Sequence, residues 1–305
     1  MWPFRRQRHD VVLEKIPDQR FRRFGGRQHL AAMPYPLPKD MGEINRLDFQ
    51  HFLLRTGLRG NYAAPVNQPA DILDVGCGSG RWAMEMAALF PNARVVGLDL
   101  VPPPEDANPL GQGLDVRPTN YIFSVGNILE GLPFAPGSFD IVHQRLLITA
   151  IPRDRWPSII QELVRVTRPG GWVELAECGS ATDGGPGYMG LWQSWIDFLN
   201  TRNVDFTIGR HIGQMLGNGG LVTVQQRVLN FPMGDWGGRI GRASATDCLA
   251  VGKALRAGVI AQDIMPADRY DALYTRAQQE FAQRQGRGIL PFYVAFGQRP
   301  EPDVT

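Results

Sequence analysis

The sequence predicts an α/β fold: an open, mostly parallel sheet with helices on both faces and a helical insertion near its end. Three observations carry this. From residue 71 onward, short apolar runs alternate with helical patterns, as right-handed βαβ units do. The runs are apolar nearly throughout, as in strands buried on both faces. The stretch ILDVGCGSGRW, residues 72–82, sets Gly76, Gly78 and Gly80 between the first run and a helical pattern. Open sheets bind ligands at such places, outside the carboxyl ends of their strands.

Each element follows in order. Residues 1–40 read as a basic, poorly structured arm: Arg5, Arg6, Arg8, Lys15, Arg20, Arg22, Arg23 and Arg27 outnumber Asp10, Glu14 and Asp18. The arm ends in PYPLPKD, whose prolines favour irregular extended backbone. Over residues 43–58, Ile44, Leu47, Phe52, Leu53 and Leu54 fit an amphipathic helix. Strands are predicted over 71–76, 93–100, 121–126, 139–144 and 171–177, with helices over 81–90 and 156–166. The Pro- and Gly-rich link 101–120 is expected to hold no regular helix. Beyond Cys178 the pattern predicts helices over 188–200 and 209–216, a strand over 221–231, helices near 246–258 and 266–285, and a terminal apolar strand over 289–300. The expected organisation is therefore the arm plus one domain, residues 41–305, with cap insertions at about 178–215 and 232–288.

Composition narrows the function classes. The 305 residues carry a net charge of +2, which gives no global field for drawing in nucleic acid. The basic excess is local to the arm, which reads as solvated, or else as the place where a second copy or a protein partner would meet the chain. No apolar stretch follows its charges, so it does not read as a signal peptide. No run of about 18 apolar residues is present, so no membrane span is expected. Cys77, Cys178 and Cys248 lack metal-ligand spacing, so neither zinc nor a disulfide framework is expected, and the chain reads as cytoplasmic.

The glycine loop discriminates between cofactors. A dinucleotide fingerprint requires G-x-G-x-x-G, with the pyrophosphate on a helix N-terminus. Three positions beyond Gly78 stands Arg81, so that spacing fails. Asp74 precedes the loop, and its carboxylate suits a ligand amino group better than a phosphate. Asp99 ends the next strand, about where a carboxylate binds ribose hydroxyls. An adenosine with an amino-acid tail and no phosphates meets these requirements: S-adenosylmethionine.

The segments ILDVGCGSG, GLDL, LPFAPGSFDIVHQRLL and RVTRPGGWVEL resemble, in this order, the class I S-adenosylmethionine-dependent methyltransferases. The resemblance implies a Rossmann-like sheet of seven strands with the last antiparallel. It implies that Asp74, Gly76, Cys77 and Gly78 border the methionine part, that Asp99 binds the ribose, and that Leu100 and Ile128 flank the adenine. Asn127 stands where the family often has an aspartate facing the adenine amino group. A narrower likeness, in PLPKDMGEINRLDFQHFLLR, FDIVHQR and GQRP, is to the LaeA-like methyltransferases of secondary metabolism. It implies that the 43–58 helix closes over the cofactor, with Gln50 and His51 near the methyl-transfer zone.

A sulfonium methyl is already activated, so the enzyme has chiefly to hold the nucleophile at near-attack distance and exclude water. General-base help matters only for an acceptor with a proton to lose. The candidates for it are His143, Glu177 and His51. Gln144 and Arg145 follow His143, and one of them, Gln144 first, is expected at the cofactor carboxylate. Glu174 is expected deeper, hydrogen-bonded inside the fold. Tyr188, Trp192, Trp236 and Arg239 are the candidate substrate-pocket residues, and PMGDWGGRIG, residues 232–241, reads as a lid or a tight loop. The expected activity is methylation of a small apolar or aromatic metabolite. The alternatives are methylation of protein Arg or Lys side chains, and a regulatory protein that binds the cofactor without turnover. A nucleic-acid substrate is disfavoured because HQRLL replaces the signature of base-amine methylating enzymes.

Overall fold

Strand-length runs of Val, Ile, Leu and Phe bounded by turn residues form the centre of the molecule, as their β propensity requires. The computed structural model describes residues 21–31, 35–102, 117–283 and 287–302. The main strands are β3 (Asp71–Val75), β4 (Arg94–Asp99), β5 (Tyr121–Val125), β6 (Phe139–Arg145), β7 (Thr167–Cys178), β8 (Val222–Pro232) and β9 (Ile289–Gln298). They make one seven-stranded sheet in the order β5-β4-β3-β6-β7-β9-β8. Strands β3 to β7 pair in parallel, and β9 runs antiparallel to both its neighbours. The sheet is thus mostly parallel with its last strand reversed, as the sequence predicts. From β3 the chain steps outward to β4 and β5 and then returns to β6 on the other side. That reversal opens a crevice at the carboxyl ends of β3, β4 and β6.

Helices cover both faces. In α3 (Trp156–Val166) the residues Trp156, Ile159, Ile160, Leu163 and Val166 form one buried stripe against the sheet, at the spacing of a helical face. The carbonyls at its end are taken by Arg299, whose Nη1 lies 3.2, 3.1 and 2.5 Å from the oxygens of Val164, Arg165 and Thr167. A cation among the orphan carbonyls of a helix end offsets both their lost hydrogen bonds and the dipole. This is the structural use of the terminal GQRP. At the end of the sheet away from the crevice, Arg168 forks between Asp140 and Asp71 (2.7 and 2.6 Å). The same Asp140 accepts from the backbone N–H of Ala70 and Asp71.

The helical insertions are α4 (Pro186–Asn200) and α5 (Ile212–Asn218) between β7 and β8, then α6 (Gly238–Ala261) and α7 (Ala267–Ala282) between β8 and β9. Trp195 donates to the Tyr270 hydroxyl, which in turn donates to the Gly252 carbonyl, so α4, α7 and α6 are joined through a buried chain. Helix α6 starts eight residues before its expected position, because the glycine-rich stretch ahead of it is a tight loop rather than a lid: Gly234 N–H donates to the Gly241 carbonyl. Among the described residues no helix is long and apolar enough to cross a membrane.

The arm expected over residues 1–40 differs in its second half. Residues 1–20 and 32–34 lie outside the described residues, as do 103–116 of the proline-rich link and residues 284–285 of the last predicted helix. Residues 21–30 form a hairpin of β1 (Phe21–Phe24) and β2 (Arg27–Leu30). Its turn is Gly25–Gly26, both with positive φ, the two-residue turn whose twist matches a hairpin. The net basic charge hid that signal. Leu30 and Leu37 are buried, and Arg27 grips Asp40 through both carboxylate oxygens. Asp40 also caps α1 (Met41–Leu58), accepting from Glu43 N–H at 3.1 Å.

Leu163 sits at the centre of the α3 stripe with no exposed surface. Replacing it by Ala is expected to cost about 2–5 kcal/mol through lost burial and a residual cavity. Urea unfolding with an unchanged m-value checks this, and a change below about 1 kcal/mol would contradict the packing.

Candidate active site

The crevice is built around the loop after β3. Gly76, Gly78 and Gly80 all have positive φ, and a Cβ at Gly76 would stand 2.5 Å from a Leu147 methyl, so neither the turn nor the close approach admits a side chain. The loop spends its own donors. Gly76 and Cys77 N–H reach the Leu98 carbonyl (2.7 and 3.0 Å), Gly80 N–H the Cys77 carbonyl, and Gly78 N–H the carboxylate of Asp99 (2.8 Å). A pyrophosphate would need just such N–H groups free and pointing at it. The phosphate-free cofactor predicted from the failed spacing is therefore also what the hydrogen bonding admits.

Asp99 is the hub of the crevice. Its Oδ1 accepts from Leu100 N–H at 2.7 Å and from Lys39 Nζ at 3.0 Å. Lys39 comes from the proline segment before α1, and its charge is maintained against burial chiefly by Asp99, which moves its pKa up. Deeper in, Asp74 meets His143 (Nδ1 to Oδ1, 2.8 Å), and the imidazole lies flat on Trp82 at 3.8 Å. Arg145, at the end of β6, faces the same crevice. Burial lowers its pKa, and Asp74, Glu174 and Glu85 act in the other direction. Its guanidinium stands 3.2 Å from His51 Nδ1. An arginine only donates, so Nδ1 is the acceptor and the His51 proton sits on Nε2, 3.2 Å from Glu85 Oε2. Burial lowers the His51 pKa, which keeps this neutral tautomer. For Glu85 burial acts upward, but His51, Arg81 and Arg55 outweigh it and bring the carboxyl to about 2.

Two cavities meet here. The first, along the glycine loop, is lined by Asp74, Asp99, Leu100, Ile128, Arg145 and their neighbours. The second lies beneath the insertion helices, lined by Trp192, Trp195, Phe206, Phe231 and Phe292 with Asp247 among them. Tyr35, Leu47, Gln50 and Leu146 line both. Leu146 has φ +56, a left-handed backbone that a bulky residue adopts only when its surroundings impose it, and such positions concentrate at functional sites. Among the described residues no group of three or more His, Cys, Asp or Glu side chains is placed to hold a metal ion.

With this geometry in view, the likeness to known proteins is decisive. The family profile described as a methyltransferase domain matches residues 72–171. The secondary metabolism regulator LAE1 of Cochliobolus heterostrophus is 32% identical over 218 residues, 66% of this chain and 67% of that protein. The chain belongs to the class I S-adenosylmethionine-dependent methyltransferases. Methyltransferase str3 of Strobilurus tenacellus is 33% identical over 193 residues, 61% of this chain; the chain spans 65% of that relative's length, less than two thirds. N-methyltransferase gliN of Aspergillus fumigatus is 28% identical over 289 residues, 87% of this chain and 96% of that protein. The family's methyl donor is S-adenosylmethionine. The first cavity fits it in charge: carboxylates at Asp74 and Asp99, a guanidinium at Arg145, and apolar side chains at Leu100 and Ile128.

The methyltransferase crevice gathers most of the cofactor residues expected from sequence. Asp74, Gly76, Cys77, Gly78, Asp99, Leu100, Asn127, Ile128 and Gln50 all line it. Asn127 does so with its side chain engaged, accepting from Leu129 N–H and donating to Glu130. Gln144 does not line it. Side chains alternate along β6, so Arg145 takes the crevice face while Gln144 is buried on the other, donating to Glu177 at 2.5 Å.

The three candidate bases line neither cavity. His143 is held between Asp74 and Trp82, and His51 between Arg145 and Glu85. Glu177 is wholly buried and braces the loop after β6, accepting from Gln144 and from the N–H groups of Leu147 (2.8 Å) and Ile148 (3.2 Å). Glu174 is hydrogen-bonded inside the fold as expected, accepting from Ala63 and Ala64 N–H. Of the four substrate-pocket candidates, only Trp192 lines the second cavity. Tyr188 packs on Phe281 of α7, the Trp236 ring N–H donates to the Met233 carbonyl within its own turn, and Arg239 is exposed. Sequence reasoning passed over Tyr35, Lys39 and Asp247. The first two sit in what reads as an irregular arm, and Asp247 looks like an ordinary surface position of a helix.

Burial pushes the Glu177 carboxyl up to about 8, against three hydrogen bonds that lower it. The folded state therefore holds a proton that the unfolded chain, with its carboxyl near 4.5, has lost. Stability is highest below pH 4.5 on this account and falls by about 1.4 kcal/mol per pH unit up to about pH 8. Glu177→Gln removes that slope whatever its effect on absolute stability. Equal slopes in the two proteins, measured by urea unfolding across that window, would refute the assignment.

Proposed function

We propose that this protein transfers the methyl group of S-adenosylmethionine to a small apolar or aromatic acceptor held in the second cavity. One observation carries the reading: the cofactor crevice shares four lining side chains with a cavity lined mainly by aromatic and aliphatic side chains. Bound donor supplies a sulfonium-activated methyl, whose S–C electron pair returns to sulfur as the acceptor's lone pair forms the new bond. The chain's contribution is to orient and to exclude water. Asp99 takes the ribose hydroxyls on the lone pairs left by Gly78, Leu100 and Lys39. Arg145 meets the amino-acid carboxylate, and Asp74 lies on the side of the ammonium. Leu100 and Ile128 sandwich the adenine. The insertion helices act as the acceptor-side cap.

The aromatic lining of the second cavity favours a metabolite over a protein side chain, whose recognition calls for a groove open to a peptide backbone. A protein that only bound the cofactor would have no use for that cavity, and this favours turnover despite the likeness to a named regulator. The test is incubation with methyl-labelled donor and a set of apolar phenols, amines and heterocycles. Label in the organic extract supports the reading, whereas label confined to the protein fraction of a substrate lysate would sink it.

Asp99→Ala removes the partner of the ribose and of Gly78 N–H together. Affinity for S-adenosylmethionine is expected to fall at least about tenfold, since each hydrogen bond to a charged group contributes about 1.5–3 kcal/mol. Calorimetry with unchanged affinity would remove the cofactor from this crevice.

A further inference from the structure

A methyl that passes from one cavity to the other must cross their common wall. Four side chains form that wall, Tyr35, Leu47, Gln50 and Leu146, and only Tyr35 and Gln50 bear polar atoms. Tyr35 is tied to the cofactor side, its ring beneath the Lys39 ammonium at 5.5 Å. Gln50 points the other way. Its Nε2 donates to Asp247 Oδ2 at 2.8 Å, and Asp247 Oδ1 is held at 2.8 Å by Arg46 Nη1. Arg46 is in turn clasped by Glu43 through Nε and Nη2 (3.0 and 2.7 Å).

This chain fixes the amide. An ionised carboxylate only accepts, so the nitrogen of Gln50 must face Asp247 and the carbonyl oxygen must face away from it. No hydrogen bond uses that oxygen among the described residues, although the side chain is half-buried. Burial raises the Asp247 pKa, and the Arg46 guanidinium and the Gln50 amide act in the other direction.

We propose that Gln50 is the acceptor-positioning residue: its side-chain carbonyl, aimed by Asp247 at the junction of the two cavities, receives an N–H or O–H of the molecule to be methylated. The acceptor class is accordingly an apolar body bearing an N–H or O–H nucleophile. The hydrogen bond turns the nucleophile's lone pair toward the methyl and removes no proton. Asp247 acts only through Gln50. The inference rests on the first cavity being the cofactor site.

Two cofactor analogues test it without a known substrate. S-adenosylhomocysteine lacks the methyl, and sinefungin carries an amine-bearing carbon in place of the methylated sulfur, so its N–H groups stand where the methyl leaves. Calorimetry on the full chain should show Gln50→Leu still binding both analogues, so that the ratio of the two affinities is the readout. The variant's preference for sinefungin should be at least about tenfold lower than that of the unsubstituted protein. Gln50→Glu, which keeps an acceptor oxygen, should retain the preference. Asp247→Asn can offer an N–H to the Gln50 carbonyl and capture it, so it should lose the preference while still binding S-adenosylhomocysteine. An unchanged ratio in Gln50→Leu overturns the proposal, as does equal loss in Gln50→Glu. An unchanged ratio in Asp247→Asn overturns the role of Asp247. Failure of the unsubstituted protein to bind either analogue overturns the cofactor site itself, and the positioning role with it.

Discussion

The carboxylate of Asp99 is the constraint on which the crevice depends. It takes Gly78 N–H from the glycine loop, Leu100 N–H from the end of its own strand and the Lys39 ammonium from the segment ahead of α1. Three parts of the chain, 20 to 60 residues apart in sequence, converge on two oxygens. A buried carboxylate without such partners would be costly, so the anion that suits a ribose also fixes the backbone around it. The N–H groups of Gly76, Cys77 and Gly80 are spent on carbonyls, an arrangement that leaves a phosphate few donors. Cofactor choice here follows from how the loop satisfies itself.

Helix α1 links that crevice to the rest of the molecule through charge on two sides. One side carries His51, set between Arg145 of β6 and Glu85 of α2 (Arg81–Leu89). The other carries Glu43 and Arg46, which reach Asp247 of α6. Buried ion pairs are weak evidence for stability, and their best-attested use is to specify register. Both networks here have that geometry. Each adds directional polar contacts between α1 and a neighbouring element. The first holds α1 over the cofactor, and the second holds the insertion helices against α1. Arg46 and Asp247 of the second network also line the second cavity.

The distribution of these charges explains what was legible in the sequence. The sheet was, because from residue 71 apolar strand-length runs alternate with helical patterns and another closes the chain, although β8 is interrupted by Gln225, Gln226 and Arg227. The glycine loop and Asp99 were, because positive φ and a ribose-binding carboxylate each demand particular residues at particular places. The candidate bases were misjudged for one reason. His51, His143 and Glu177 are chemically competent, and sequence cannot tell a competent group facing a cavity from one already saturated by neighbours. Gln144 and Arg145 differ by a single position and hence by the face of β6, and one residue of register decides which can touch a ligand. Asp247 gave no signal at all. Its partner Arg46 lies 201 residues away, and a lone aspartate on a helix with small neighbours reads as solvent-facing.

That asymmetry has a physical root. The cofactor half of the site is built from backbone geometry within a continuous stretch of βαβ units, so its demands are local and leave a local trace. The second cavity is lined from the arm at Tyr35, α1 at Gln50, the β6 loop at Leu146 and insertion helices far along the chain. No one of these segments carries a requirement by itself. A wall of this kind can change its acceptor by substitution in the insertions while Asp99, the loop and Arg145 stay as they are. Relatives named for N-methylation, for methylation generally and for regulation can therefore share this sheet.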